Sequence, residues 1–162
     1  MSCRVIVRVQ EDMFDAAEEA AKLTKNRTDL GAVVTFTGLC RDESGALAAL
    51  EIEHYPGMAE EEISRVVAQA AARWTLEGVV VLHRFGLIRP GEPIVLVVTA
   101  SLHRAEAFEA AAFLMDFLKT QAPFWKKQHP TDASAESEPG SGAAAWVDAK
   151  AEDDAAAQKW RG

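Results

Sequence analysis

Apolar and polar residues alternate at the start of the chain. Cys3, Val5, Val7 and Val9 interleave with Arg4, Ile6, Arg8 and Gln10, a period of two that predicts a strand. Asp12 is placed to cap a helix running to about Lys25, with Phe14, Ala17 and Ala21 on its inner face. Residues 30–38 form a β-rich run that closes on Gly38, and Asp42-Glu43-Ser44-Gly45 reads as a turn. Leu50, Ile52 and His54 then alternate with Glu51, Glu53 and Tyr55, a half-exposed strand that Pro56-Gly57 stops. From Met58 to Trp74 the period changes. Ile63, Val66, Val67, Ala70 and Trp74 recur at helical spacing, with Glu60, Glu61 and Glu62 in the first turns, where acidic groups suit the helix dipole. Gly78 to Phe85 predicts a strand, Arg89 to Pro93 a turn, and Ile94 to Ala100 an apolar strand at the centre of a sheet. A second long helix is expected from Leu102 to Gln121, capped by Ser101, with Phe108, Ala111, Ala112, Met115 and Leu118 inward.

The turns after Gly38 and at 89–93 favour hairpins over parallel crossovers. The expected class is α+β with a mostly antiparallel sheet and two long helices. Residues 1–127 form the folded domain in this reading. Residues 128–145, rich in Pro, Ser, Gly, Ala and Glu, are expected to be a mobile loop without a core of its own. Residues 146–162 form a tail that docks back through Trp146-Val147, with a short helix over Glu152 to Trp160.

Size and charge narrow the functional classes. A chain of 162 residues with 49% hydrophobic content supports one domain with a real core. No apolar run approaches the ~20 residues that span a bilayer. The N-terminus lacks a signal-peptide core, so a cytoplasmic location is expected. The net charge is -8, which disfavours a nucleic-acid-binding face. Residues 128–162 carry seven acids and three bases, so half of that charge sits in the tail and the body can hold a local cationic pocket. Cys3 and Cys40 have no metal-type spacing and form no disulfide framework. Cys40 reads as a small apolar residue at a strand end rather than a nucleophile.

The candidate chemistry is cationic. Residues 117–127 place Lys119 and Lys126 beside Phe117, Leu118, Phe124 and Trp125, with Pro123 bending the chain and Lys126 and Lys127 following on the bend. Taking a lysine out of water costs free energy and lowers its pKa, so this company suggests a walled pocket for an anion. A solvated helix end explains Lys119 equally well, because a cation there suits the dipole. His103 and Arg104 sit at the start of the second long helix, where they oppose the dipole unless an anion binds. Arg41 follows Gly38-Leu39-Cys40 and reads either as a phosphate or carboxylate clamp or as an exposed turn residue. His54 and His83 lie in strands and read as structural. His129 shows no ligand spacing, and the tryptophans read as packing anchors.

Four segments in order carry a resemblance: Gly31-Ala32-Val33-Val34-Thr35-Phe36-Thr37-Gly38 closing at Arg41; Glu53-His54-Tyr55-Pro56-Gly57-Met58; Ser101-Leu102-His103-Arg104 with Ala107-Phe108-Glu109-Ala110; and Leu118-Lys119-Thr120 with Ala122-Pro123-Phe124-Trp125-Lys126-Lys127. Over residues 4–127 the chain resembles the family of molybdopterin synthase large, catalytic subunits. The resemblance implies an α/β hammerhead fold with a small extra β lobe and a homodimer. It also implies a small ubiquitin-like sulfur-carrier subunit at each end of a heterotetramer. The carrier's thiocarboxylated C-terminus would deliver sulfur to cyclic pyranopterin monophosphate (precursor Z) to form the molybdopterin dithiolene, with no metal or other cofactor. It places Lys119 at the carrier's terminal carbonyl and Lys126 at the substrate, and leaves open which of the two is the acid or base. Leu39, Cys40, Arg41, His103, Arg104, Lys127 and Gln128 would complete the substrate site, drawn from both subunits, and Lys150 would be a tail contact. Gln128 stands where the family usually has Glu, Lys150 where it has Arg, and Cys40 where it has an aliphatic residue. The alternative is a non-catalytic module that binds a ubiquitin-like tail or a phosphate metabolite.

Overall fold

A computed structural model describes residues 2–131, 145–147 and 151–161. Its architecture is α+β, built on two four-stranded sheets. The first contains β1 (Arg4–Gln10), β2 (Ala32–Leu39), β4 (Gly78–Arg84) and β6 (Pro93–Ser101), in the order β1-β4-β6-β2. Only the β1–β4 pair in it is parallel. The second contains β3 (Leu47–His54), β5 (Gly86–Ile88), β7 (Phe124–Pro130) and β8 (Ala145–Val147), antiparallel throughout in the order β5-β3-β7-β8. The extra β lobe is therefore a full second sheet.

Helix α1 (Ala16–Thr24) covers one face of the first sheet, and α2 (Met58–Arg73) and α3 (Arg104–Thr120) cover the other. Strand β4 is apolar along most of its length because both faces are covered, and all seven of its residues are buried. Val80 and Leu82 pack with Leu23 towards α1, and Val79 and Val81 pack with Ile63, Phe113 and Leu114 towards α2 and α3. By the same alternation His83 belongs to the α2/α3 side and Arg84 to the other. A short helix α4 (Ala151–Gln158) ends beside Trp160, whose indole Nε1 donates to Asp116 Oδ2 at 2.6 Å on α3. No helix among the described residues is long and apolar enough to cross a membrane.

Several local expectations shift. The cap of α1 is Asp15, whose Oδ1 accepts from the backbone N–H groups of Ala17 and Glu18 at 2.8 and 3.0 Å. Asp12 cannot take that place, because the Gln10 amide holds the carbonyls of Asp12 and Met13 in a turn. The later start turns Ala16, Ala20 and Leu23 to the sheet and leaves Ala17 and Ala21 exposed. Ser101 is not the cap of α3. It pairs with Ala32 as the last residue of β6, and its Oγ binds the Thr75 carbonyl and the Glu106 carboxylate. The cap passes to His103, which makes no side-chain capping bond. On α3 the small Ala107, Ala110 and Ala111 face the sheet, so Phe108 is 63% exposed and Ala112 also points outward. Residues 128–130, assigned to a loop, continue β7, while residues 132–144 lie outside the described residues.

Gly31 joins the strand and helix layers by close approach. Its N–H donates to the Ser101 carbonyl, and a Cβ there would sit 2.1 Å from the Leu102 carbonyl oxygen. Backbone must move to admit a methyl group. Gly31→Ala is expected to lower the unfolding free energy by about 1–3 kcal/mol, the usual range for overpacking, as read from the urea midpoint. An unchanged midpoint would rule out the close approach.

Candidate active site

The C-terminal ends of β2 and β4, the start of β6 and the last turns of α3 meet on the α3 side of the first sheet, and β7 of the second sheet closes over them. A cleft of about 110 Å³ opens there. Phe36 and Gly38 of β2 and Val95 of β6 line one side; Met115, Leu118 and Lys119 of α3 line another. Phe124 and Lys126 of β7 face them. Gly38 keeps this corner open, since a Cβ on it would lie 2.6 Å from Val95 Cγ1.

Lys119 and Lys126 thus reach one cleft from different elements. Lys126 is half-buried, whereas Lys119 stands exposed at the rim, on the last turn of α3. The expected burial of both lysines holds for one of them only, because Lys119 projects past the end of the helix that carries it. Lys126 and Lys127 do not lie on a bend. They are ladder residues of β7, opposite Ile52 and Glu51 of β3. Alternation sends Phe124 and Lys126 to the cleft and Trp125 to the outer face, where it meets Tyr55 edge-on with ring centroids 5.3 Å apart. Phe117 belongs to the core behind the cleft.

The remaining predicted residues divide. Leu39 lines the cleft. Cys40 does not. It is buried with Leu50, Ile52 and Ile88 in the core of the second sheet. Burial raises the Cys40 thiol pKa, and the nearby charges of Glu92 and Asp42 raise it further, so an inert thiol is the result. The Arg41 side chain is 74% exposed and paired with Glu43. Gln128 is exposed, and neither it nor Lys127 lines the cleft. His103 and Arg104 sit at the opposite end of α3 from Lys119, about 22 Å away at 1.5 Å per residue. One chain therefore does not bring His103 and Arg104 to the two lysines, and Arg41 is not among the lining residues. Lys150 lies outside the described residues.

His83 is the cleft residue that sequence reasoning missed. It is 6% exposed and stacked on Phe124, with ring centroids 3.7 Å apart and planes 12° from parallel. Its Nδ1 lies 2.8 Å from the Arg84 carbonyl. Burial depresses its pKa to about 3, and the charges of Lys126, Lys119 and His54 act in the same direction, while the Arg84 carbonyl opposes them. The folded imidazole therefore stays neutral down to about pH 3, while the unfolded one takes up a proton near pH 6.5. Its stability contribution is complete above pH 6.5 and is lost as pH falls towards 3. Between pH 7 and 4 the protein is expected to lose roughly 3 kcal/mol that His83→Gln does not lose. Urea unfolding at the two pH values checks this, and parallel losses in both proteins would contradict it.

Two sheets with a two-lysine cleft at the end of a long helix define the class of this α+β domain. The chain belongs to the MoaE protein family, whose family model matches residues 9–121. It is 60% identical over 155 residues to a molybdopterin synthase catalytic subunit of Mesorhizobium japonicum, covering 96% of this chain and 92% of that one. It superposes on the molybdopterin biosynthesis MoaE protein of Burkholderia ambifaria with a TM-score of 0.79 at 40% identity, covering 98% and 99% of the two chains. The fold is also shared, at a TM-score of 0.63 and 23% identity, with a Helicobacter pylori chain. That chain comes from a protein–protein complex of subunits 1 and 2 of molybdopterin-converting factor and covers 84% of this chain and 97% of its own length.

Proposed function

We propose that the chain is the catalytic subunit of a cytoplasmic molybdopterin synthase. It transfers sulfur from the thiocarboxylated C-terminus of a small ubiquitin-like carrier to cyclic pyranopterin monophosphate. The observation that carries this reading is the convergence of Lys119 and Lys126, from α3 and β7, on one narrow and largely apolar-walled cleft that also holds His83. An extended Gly-Gly tail fits such a cleft because it needs no room for side chains. The Lys119 ammonium at the rim meets the tail's terminal carbonyl and stabilises the oxyanion that develops when the acyl group is hydrolysed. Lys126, deeper in, holds the substrate by a charge-assisted hydrogen bond, and either lysine can pass the proton. Sulfur arrives on the carrier, so the buried Cys40 thiol has no part, and the reading calls for no metal or other cofactor. Reconstitution with thiocarboxylated carrier and precursor Z tests it. Molybdopterin is the expected product. Carrier binding with unchanged precursor would point instead to a non-catalytic module.

The reading needs a second copy of the chain, since His103 and Arg104 are remote from the lysines of their own subunit. Strand β2 is an edge of its sheet, and Val33, Leu102 and Phe108 beside it are exposed. This face suits a second subunit, which would bring its cationic helix start to the first subunit's cleft. A Lys119→Ala chain mixed with an Arg104→Ala chain then rebuilds one intact site in each mixed dimer. Random mixing is expected to restore about one quarter of wild-type activity. Restoration to no more than the sum of the separate variants would show that each site is built within one chain.

A further inference from the structure

We infer that His83 is a positioning residue of the cleft: its Nδ1–H is fixed on the Arg84 carbonyl, and its Nε2 presents a lone pair to the ammonium groups of Lys119 and Lys126. The tautomer follows from chemistry. A carbonyl oxygen only accepts, so the 2.8 Å contact requires the hydrogen on Nδ1 and leaves Nε2 bare. The stack on Phe124 prevents the ring from turning over. Among the described residues, the sealed side-chain atoms without a hydrogen-bond partner are Arg8 Nε and Glu19 Oε2. Nε2 is not one of them and has no hydrogen-bond partner among those residues, so it opens on the cleft that its ring lines.

The lining supplies the second argument. Among the described residues it holds two ammonium groups and no carboxylate. The imidazole of His83 is the one nitrogen or oxygen side-chain acceptor among the lining residues. Lys126, Lys119 and His54, the titratable groups that act on it, all resist its protonation. A carboxylate in this place would orient the lysines but cancel the positive charge that draws an anion. A neutral imidazole offers them an acceptor and adds no negative charge.

Asparagine and glutamine separate the two ring nitrogens. Asn keeps a donor near the Nδ1 position and loses the Nε2 acceptor; Gln carries its amide to the Nε2 position and loses the bond to Arg84. His83→Asn is expected to lower kcat roughly 10- to 100-fold with little change in the KM for carrier, the scale of one hydrogen bond to a charged group. His83→Gln is expected to stay within about 3-fold of wild type if the Nε2 site carries the effect. Asn active with Gln impaired, or equal impairment of both, would overturn the inference.

This activity arm rests on the sulfur-transfer reading. A second arm does not. Nitrogen-15 spectra of the full chain are expected to show a protonated Nδ1 and a bare Nε2 at neutral pH, with the Nε2 resonance moving towards its free value in Lys119→Met or Lys126→Met. A protonated Nε2, or one that neither lysine change moves, sinks the idea. Absence of molybdopterin with wild-type protein rejects the sulfur-transfer reading alone, and the spectra still decide the role of His83.

Discussion

Lys119→Ala is expected to reduce molybdopterin formation by roughly 10²- to 10⁴-fold, the contribution of a well-placed acid–base group. Placement makes the test clean. Lys119 is exposed on the last turn of α3, so its removal opens no cavity and leaves the apolar lining of Met115, Leu118 and Phe124 in place. Surface changes of this kind alter stability by no more than about 0.5 kcal/mol. Loss of product with an unchanged melting temperature would therefore report chemistry. Lysine at this site also favours the C-terminal end of the helix dipole, so a small stability loss is the direction expected. Product formation under single-turnover conditions, with carrier in excess, is the measurement. Activity within a few-fold of wild type would remove Lys119 from the reaction.

The largest effect on stability is expected at Phe113, the largest fully buried side chain among the described residues. Its ring meets Trp74 at 5.3 Å, Phe117 at 4.7 Å and Trp160 at 5.6 Å between centroids, and the Arg73 guanidinium carbon lies 4.8 Å from its centre. It therefore joins α2, α3 and Trp160, two residues past the end of α4. Phe113→Ala removes these contacts at once and should cost about 3–5 kcal/mol. For a chain of this size that corresponds to a fall of about 6–20 °C in Tm. Trp160 loses one of its ring partners, so α4 should exchange its amide hydrogens faster than the first sheet does. A Tm within about 3 °C of wild type would show that the cluster relaxes to fill the space.

Most of the fold was legible because its signals are local. The seven-residue run at Gly78–Arg84 and the spacing of Ile63, Val66, Val67 and Ala70 need no tertiary information to be read. The errors lie where one residue had two competing uses. Ser101 is a good cap residue, but ladder bonds to Ala32 and its contact with Glu106 claim it for the strand. Phe108 looks like a core residue by type, yet the close packing of Ala107, Ala110 and Ala111 turns it outward. The site was legible in its charges and not in its walls. Lys119 and Lys126 stand out because of their neighbours. His83 does not, since a histidine in an apolar strand reads as structure until the faces of the sheet are known. The signal was present in the alternation: His83 continues the Val79–Val81 row, which faces the helix that ends in Lys119. His103 and Arg104 were legible as cations, but a sequence carries no distance, and the length of α3 separates them from the lysines.

The ends of the segment joining β7 to β8 have a consequence of their own. Gln128 is paired with Ala145, and the Thr131 N–H donates to the Ala46 carbonyl at 2.8 Å, so the segment leaves and re-enters the sheet at nearly the same place. For such a closed path the entropy of ring closure grows only with the logarithm of length. Doubling the number of residues between the two strands costs about 0.6 kcal/mol. The register of the cleft lysine at 126 is set by its pairings with Ile52 and Val147, so it does not depend on that length.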